Sequence, residues 1–533
     1  MRPNLLIAAS AVVLTFALSA CASAQTVPYS DEEFARIENG MNTMLDALEE
    51  QPDFAPGYVV VVATADGHTW ARTGGTLREG ENLPAEATSE FYIASMTKAY
   101  MGLLAAQLDL DGILSLDSTL ADHWPDLQMP GDVPASEITL RDLITHQAPI
   151  QVGAITGTEA NFRDLPIEDY PRYIETFGEA REPGFQYDNL GYNIYGAILE
   201  LETGKNWRDW LGDVLFEPNG MTGTSGRVSD FEPDTIAWGH QPDIGISPVW
   251  PSANGWYLIH PKTDGMMQSA GGLMTTGEDF ATWIEMNLSH DANGISAAAF
   301  EDAQTQHVEQ EGDGHGFSDE GYAYGWNNSI LIYDRPDASG EIPEPTRLLQ
   351  HGGGYTGYNS LITLAPDLGI GIAVAFNTEG PVQYAGLEIS KQVFELALGI
   401  EGTDEAAAGR AGNLTAFTDR FLPRIADRMT EAMAAERWGA GGWTPDAAAL
   451  DAFTGRYESD GWIPIADVSR DGDRLHISVY DAQRIVVPVS EDIFASYSDG
   501  LSPPEYVHFL RDENGAVTGL QWDDDTFARI SSN

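Results

Sequence analysis

The chain has 533 residues, 82 of them acidic and 27 basic, for a formal net charge of −55, with 43% hydrophobic residues and 13 Trp, 20 Tyr and 20 Phe. That apolar and aromatic content excludes a disordered chain, and at ~150 residues per domain the length predicts two to four domains. No basic stripe exists to neutralise phosphates, which excludes nucleic acid as a partner; the dispersed acidic residues read as a solvated surface.

The chain opens Met1-Arg2-Pro3-Asn4 and continues with an apolar run from Leu5 to Leu18. The run is too short to span a membrane, so residues 1–24 read as an export signal peptide. Leu18-Ser19-Ala20-Cys21 resembles a bacterial lipobox, which would make Cys21 a lipid anchor and the mature N-terminus; the alternative is cleavage after Ala24. Either route predicts the periplasm or cell envelope of a bacterium. Cys21 is the one cysteine of the sequence, so no disulfide forms within the chain.

Phe34, Ile37, Met41, Met44, Leu45 and Leu48 recur at helical spacing and predict an amphipathic helix within residues 29–50. The run 57–63 predicts a strand, with 69–75 as its hairpin partner across Asp66-Gly67. From about 110 to 290 the pattern is mainly helical. Thr139 caps a helix that runs towards His146, which reads as a buried, hydrogen-bonded residue ending that helix. A turn-rich loop, 183–193, feeds a helix over 194–203, and Thr276 precedes a helix over 278–288. Strands return over 329–333, 347–351, 358–364 and 369–377, before a helix over 387–398. Strands at both ends with helices between predict one antiparallel sheet built from distant segments, with an all-helical lobe inserted, over residues 25–400. Small polar residues over 401–412 predict a linker; with a helix over 414–438 and a Gly-rich break they form a segment 401–442. Residues 443–533 alternate apolar runs with turns at Asp471-Gly472 and Asn514-Gly515, predicting a small C-terminal all-β barrel or sandwich without a nucleophile and base of its own.

The chemistry gathers where the run 91–94 turns into a helix. Ser95 and Lys98 stand three residues apart, on one face of that helix, where a hydroxyl and an amine share a hydrogen bond. Free N–H groups in the first helical turn would stabilise an oxyanion. The chain holds only four lysines, Lys98, Lys205, Lys262 and Lys391, yet keeps Lys98 in an apolar stretch. To act as a base at neutral pH its amine must drop about three units from ~10.4, which takes ~4 kcal/mol of environment.

Two further islands follow in order: Tyr187-Asp188-Asn189 and His351-Gly352-Gly353. With Ser95-Met96-Thr97-Lys98 they resemble the serine β-lactamase and penicillin-recognising hydrolase superfamily, in its class C-like branch of β-lactamases, DD-peptidases, D-aminopeptidases and carboxylesterases. The stretches 140–146, 271–276 and 324–326 agree, and the resemblance covers roughly residues 30–400. It implies a mixed α/β fold and an acyl-enzyme at Ser95, activated by Lys98 with Tyr187. It further implies that His351 is a catalytic residue on the strand flanking the cleft, that Asn189, Gly353 and Gly354 bind substrate, Asn189 also bonding Lys98, and that the N–H groups of Ser95 and Gly354 form the oxyanion hole. His351 replaces the lysine of Lys-Thr-Gly, removing a permanent cation, which turns the expectation from efficient β-lactamases towards peptidases and esterases. Weak β-lactamase activity and a non-catalytic penicillin-binding sensor remain as alternatives. No cofactor and no metal are implied: the eleven histidines show no spacing such as His-Glu-x-x-His. The partner is a small-molecule or peptide substrate, and the oligomeric state stays open.

Overall fold

The computed structural model describes residues 28–530 apart from 52–53, 245–251, 315–316, 434–442, 444, 481, 499–500 and 523–524. The stretch read as an export signal, with Cys21, and the Gly-rich break fall outside the described residues. Helix α1 (Asp31–Glu49) starts at Ser30, whose hydroxyl accepts from the Glu33 N–H while the Glu33 carboxylate accepts from the Ser30 N–H. Its expected apolar face, Phe34 to Leu48, is buried.

Strand β1 (Gly57–Thr64) is buried along its whole length and pairs with β2 (Thr69–Gly75) across a turn in which Gly67 has φ +93°. Val59, Val61 and Ala63 face one core, and Tyr58, Val60 and Val62 face another. A strand covered on both faces reads as an unbroken apolar run, as this one does. The first core holds the helical lobe, including α2 (Thr97–Leu110), α3 (Leu140–Ile144), α4 (Gly153–Asn161), α5 (Leu190–Thr203) and α6 (Gly277–Ser289).

The remaining strands of the sheet are β3 (Val308–Gly314), β4 (Phe317–Tyr322), β5 (Asn327–Leu331), β6 (Thr346–Tyr355), β7 (Tyr358–Ala365) and β8 (Ile370–Phe376). The order is β3-β4-β5-β6-β7-β8-β1-β2, with every pair antiparallel. Sequence reasoning passed over β3 and β4, because an edge hairpin of Glu, Asp, Ser and Gly lacks the apolar run by which buried strands are recognised. Helix α7 (Val382–Ala397) packs with α1 on the second face.

The stretch 401–412 corrects the sequence-based expectation. It is not a linker: helix α8 (Asp404–Met433) begins inside it. Ala407, Ala411 and Leu414, at spacings of four and three, are buried in the second core, and Arg410 bonds Glu388 at 2.6 Å and Glu395 at 2.7 Å. Small residues read as linker composition, but here they let α8 lie close to its neighbours.

The C-terminal unit is a closed eight-stranded barrel of β9 (Gly455–Glu458), β10 (Ile465–Asp471), β11 (Arg474–Val479), β12 (Ala482–Pro488), β13 (Ile493–Ser496), β14 (Glu505–Arg511), β15 (Val517–Trp522) and β16 (Asp525–Arg529). Its β9 pairs back to β16. The barrel docks on the helical lobe: Phe162, just after α4, joins the barrel core, the Tyr173 hydroxyl donates to the Trp462 carbonyl at 3.2 Å, and the Arg163 guanidinium lies 3.9 Å from the Tyr480 ring centre.

Candidate active site

Residues Phe91 and Tyr92 pair with Met274 and Thr275, and the chain then tightens into a single 3-10 turn, Ala94–Met96, before α2. Ala94 sits at φ +46°, a left-handed conformation costly for any residue with a Cβ. The turn is tied down by Thr97, whose hydroxyl donates to the Ala94 carbonyl at 2.7 Å and accepts from the Leu273 N–H at 3.1 Å. Ser95 is thereby presented on a braced corner, partly open to solvent.

Lys98 stands one turn further on with no exposed surface. Its Nζ lies 3.0 Å from Ser95 Oγ, 2.8 Å from Asn189 Oδ1 and 2.7 Å from the Ala270 carbonyl. Burial pulls the amine down to about 7, against the opposing charge of Asp188. The three contacts divide the work. Asn189 and Ala270 are acceptors that occupy two N–H groups in either protonation state, so the third position, facing Ser95, is an N–H in the ammonium and a lone pair in the amine.

The loop before α5 brings Tyr187 to the same point. Its hydroxyl bonds Ser95, and the protein crowded around that end pushes the phenol above its ordinary value, although the residue as a whole is 47% exposed and walls an open cleft. Asp188 turns away from the cleft: its carboxylate caps α5 through the Leu190 N–H at 2.9 Å and pairs with Arg181 at 3.3 Å. His146 ends α3 at φ +59°, 1% exposed, and its Nδ1 accepts from the Asp188 N–H at 3.2 Å. Its ring lies 4.5 Å from that of Tyr187, centre to centre. Burial and then the Lys98 charge hold this imidazole far below its usual range, so it is neutral.

The third island lies on β6. His351 is 2% exposed; its Nδ1 lies 2.8 Å from the Gly352 carbonyl and its Nε2 3.3 Å from the Tyr322 hydroxyl. The first contact requires Nδ1 to carry the proton, leaving Nε2 to accept from the phenol. Burial, reinforced by Lys98, lowers the imidazole to about 3. It carries no charge at neutral pH. A Cβ on Gly353 would stand 2.0 Å from the Ile93 carbonyl and 2.3 Å from Ser360 Oγ, so only glycine lets β6 run this close to the Ser95 turn. A Cβ on Gly354 would meet nothing within 4 Å: this is where the cleft opens.

The structure therefore gathers Ser95, Lys98, Tyr187 and Asn189 directly, with His351, Gly353 and Gly354 on the strand beside them. Sequence reasoning missed the Ala270 carbonyl, since a backbone oxygen has no residue signature, although the stretch beginning at Gly271 was singled out. It also missed Phe185 and Tyr322, whose rings, 5.4 Å apart, complete the aromatic wall around His146. Among the described residues, no group of three His, Cys, Asp or Glu could hold a metal ion.

A family model described as Beta-lactamase matches residues 45–392, well over half of the chain and all of the site described above. The chain belongs to the beta-lactamase family. Within this family, protein flp of Staphylococcus aureus (strain COL) is 24% identical over 351 residues, 64% of this chain and 64% of that protein. The match thus spans less than two thirds of that relative's length. The lovastatin esterase of Penicillium rubens is 28% identical over 284 residues, 48% of this chain and 70% of that enzyme. Among solved structures, the octameric penicillin-binding protein homologue from Pyrococcus abyssi is 21% identical and covered in full; it covers 93% of this chain with a TM-score of 0.52, which shows a shared fold. The beta-lactamase family's mixed α/β fold is the one the sequence led us to expect; beyond it this chain carries the barrel.

Proposed function

We propose that this protein is an exported serine hydrolase that cleaves a carboxylic ester or an amide, the latter in small peptides including those with D-residues, through an acyl-enzyme on Ser95. The observation that carries the reading is the buried Lys98 Nζ, 3.0 Å from Ser95 Oγ and lowered to about 7. The neutral amine takes the Ser95 proton as Oγ adds to the substrate carbonyl, and the N–H groups of Ser95 and Gly354 receive the oxyanion. Tyr187, whose raised phenol stays protonated at neutral pH, passes a proton to the leaving alkoxide or amine and recovers one from Lys98. A water then attacks the acyl carbonyl, gives its proton to the same pair and releases the acid from Ser95.

The charge around the cleft supports substrates that lack a carboxylate beside the scissile bond. His351 is neutral, Arg181 is paired with Asp188, and Lys98 spends its donors within the protein. A carboxylate-bearing β-lactam would meet no free cation from these groups, whereas the exposed Tyr187 ring and the half-buried Phe185 ring suit an apolar ester or amide. The similarity to an esterase agrees with this ranking.

The test is a burst assay on protein lacking residues 1–24 and on its Ser95→Ala variant, with a p-nitrophenyl ester, D-alanine p-nitroanilide and a chromogenic cephalosporin. Turnover that requires Ser95 and ranks the cephalosporin last supports the reading. Acylation without turnover points to a penicillin-binding sensor instead. Export through Cys21 is tested by membrane fractionation of the full chain against Cys21→Ala; a soluble periplasmic form of both removes the lipid anchor and favours cleavage after Ala24.

A further inference from the structure

Lys262 is a second buried lysine, packed on the rings of Tyr355 and Tyr92, and the chemistry just described leaves it unused. It is 7% exposed, and its Nζ donates to the Ala160 carbonyl at 2.9 Å and the Met266 carbonyl at 3.4 Å. The ammonium sits 3.8 Å from the centre of the Tyr355 ring and 5.4 Å from that of Tyr92. Among the described residues no carboxylate forms an ion pair with it. A buried cation without a counter-ion is costly, so its retention in a chain with four lysines asks for a reason.

The two rings under this ammonium belong to the two segments that form the oxyanion corner. Tyr355 directly follows Gly354 at the end of β6, and Tyr92 leads through Ile93 and Ala94 into Ser95. The rings meet edge to face at 5.7 Å, and the Tyr92 hydroxyl donates to the Gly271 carbonyl, next to the Ala270 carbonyl that holds Lys98. Ala160 lies at the end of α4, so the same ammonium also ties this corner to the helical lobe.

We propose that Lys262 is a positioning residue of the acyl-transfer site: seated on Tyr355 and Tyr92, its ammonium holds the end of β6 and the Ser95 turn at the separation an oxyanion needs and gives that corner a positive field. This rests on Ser95 being the nucleophile. An uncharged side chain of the same length would fill the space but supply neither the field nor the cation–π contact.

Charge, and not packing, is therefore what the test must read. Burial brings Lys262 to about 7, so its positive charge is present in acid and fades above neutrality. Of the groups facing it, Tyr92 is pushed far above its usual value by burial, Asp264 is held low by hydrogen bonds from Ser229 against the opposing effect of burial, and Arg208 donates to the carbonyls of Asp264 and Met267. Glu159, beside Ala160, bonds Tyr170 and is lifted by burial to about 8, so the pH profiles are also recorded in a Glu159→Gln background, where only Lys262 of this pair titrates.

The experiment compares wild type, Lys262→Met and Lys262→Arg for kcat and KM on a p-nitrophenyl ester between pH 5.5 and 9, with the rate of Ser95 labelling by a fluorophosphonate. Lys262→Met should lower kcat about tenfold at pH 6.5 with KM within twofold, the size of a lost desolvated cation–π contact and field. In the wild type the rise in kcat as Lys98 loses its proton near 7 should be blunted above neutrality by the fading Lys262 charge, and both variants should lack that blunting, Lys262→Met because the charge is always absent and Lys262→Arg because it is always present. A wild-type kcat and pH profile in Lys262→Met would overturn the proposal. Should that variant not fold, Tyr355→Leu removes the seat and keeps the lysine; the same kcat loss is expected, and an unchanged kcat overturns it equally. Failure of the wild type to label at Ser95 would sink the hydrolase reading and this one together, whereas normal labelling with an indifferent Lys262 sinks this one alone.

Discussion

The Ser95 corner and the C-terminal barrel are built on opposite electrostatic rules. In the barrel, cations sit at the surface opposite carboxylates: Arg470 with Asp451 at 2.6 Å, Arg484 with Glu505 at 2.5 Å and Arg511 with Asp492 at 2.6 Å. At the corner, Lys98 and Lys262 are buried against carbonyls, an amide, a hydroxyl and aromatic rings, and two histidines beside Lys98 are neutral. Paired, hydrated charges set solubility; desolvated, unpaired ones store free energy that chemistry can use. In a chain with a net charge of −55, two buried lysines that among the described residues form no ion pair are an informative departure.

The sharpest way to break this contrast is at Lys98. Lys98→Met should reduce kcat by about 10^3-fold, the range of a lost general base, with the fold intact by circular dichroism. In Lys262→Arg, where the second cation is fixed, kcat/KM should rise with pH through about 7, since the Lys98 ammonium has no lone pair and only the amine accepts the Ser95 proton. A flat profile there would remove Lys98 from proton transfer.

Glycines separate the two regions next. Gly353→Ala places a methyl 2.0 Å from the Ile93 carbonyl and should cost about 3 kcal/mol in urea unfolding, together with loss of ester turnover, because β6 must retreat from the Ser95 turn. Gly472→Ala, at a barrel turn with φ +59° and open space around it, should cost about 1 kcal/mol and leave kcat unchanged.

A smaller effect belongs to Glu159, where burial lifts the carboxyl to about 8. Between its ordinary value and 8 the folded state holds a proton that the unfolded state has released, so stability falls as pH rises across that window. Glu159→Gln should therefore melt higher than wild type at pH 8.5, with the two converging near pH 4; an equal melting temperature at pH 8.5 would show that the carboxylate is tolerated in place. The smallest change is Arg470→Ala in the barrel, whose exposed pair with Asp451 is screened by solvent: the melting temperature should barely move and kcat should not change.

Much of the fold was legible where burial and pattern coincide. The apolar run of β1, the α1 face from Phe34 to Leu48 and the Thr139 and Thr276 caps were all readable, because each depends on neighbours in sequence. The polar strands β3 and β4 at one end of the sheet, the short β9, β13 and β16 and the start of α8 were not, since pairing and packing partners outside each stretch stabilise them. His146 was read as a buried residue ending a helix, and that is where it lies; that it braces the Tyr187 loop through the Asp188 N–H was invisible.

The sequence by itself determined that Ser95 and Lys98 meet, because two residues three apart across a helical turn are brought together by local geometry alone. Only the tertiary structure decided what each group is worth. Asn189 and Ala270 converge on Lys98 from 91 and 172 residues away, His351 loses its charge, and Lys262 gains an aromatic seat in place of a counter-ion. Desolvation depends on everything packed around a group, and no stretch of neighbouring residues encodes it.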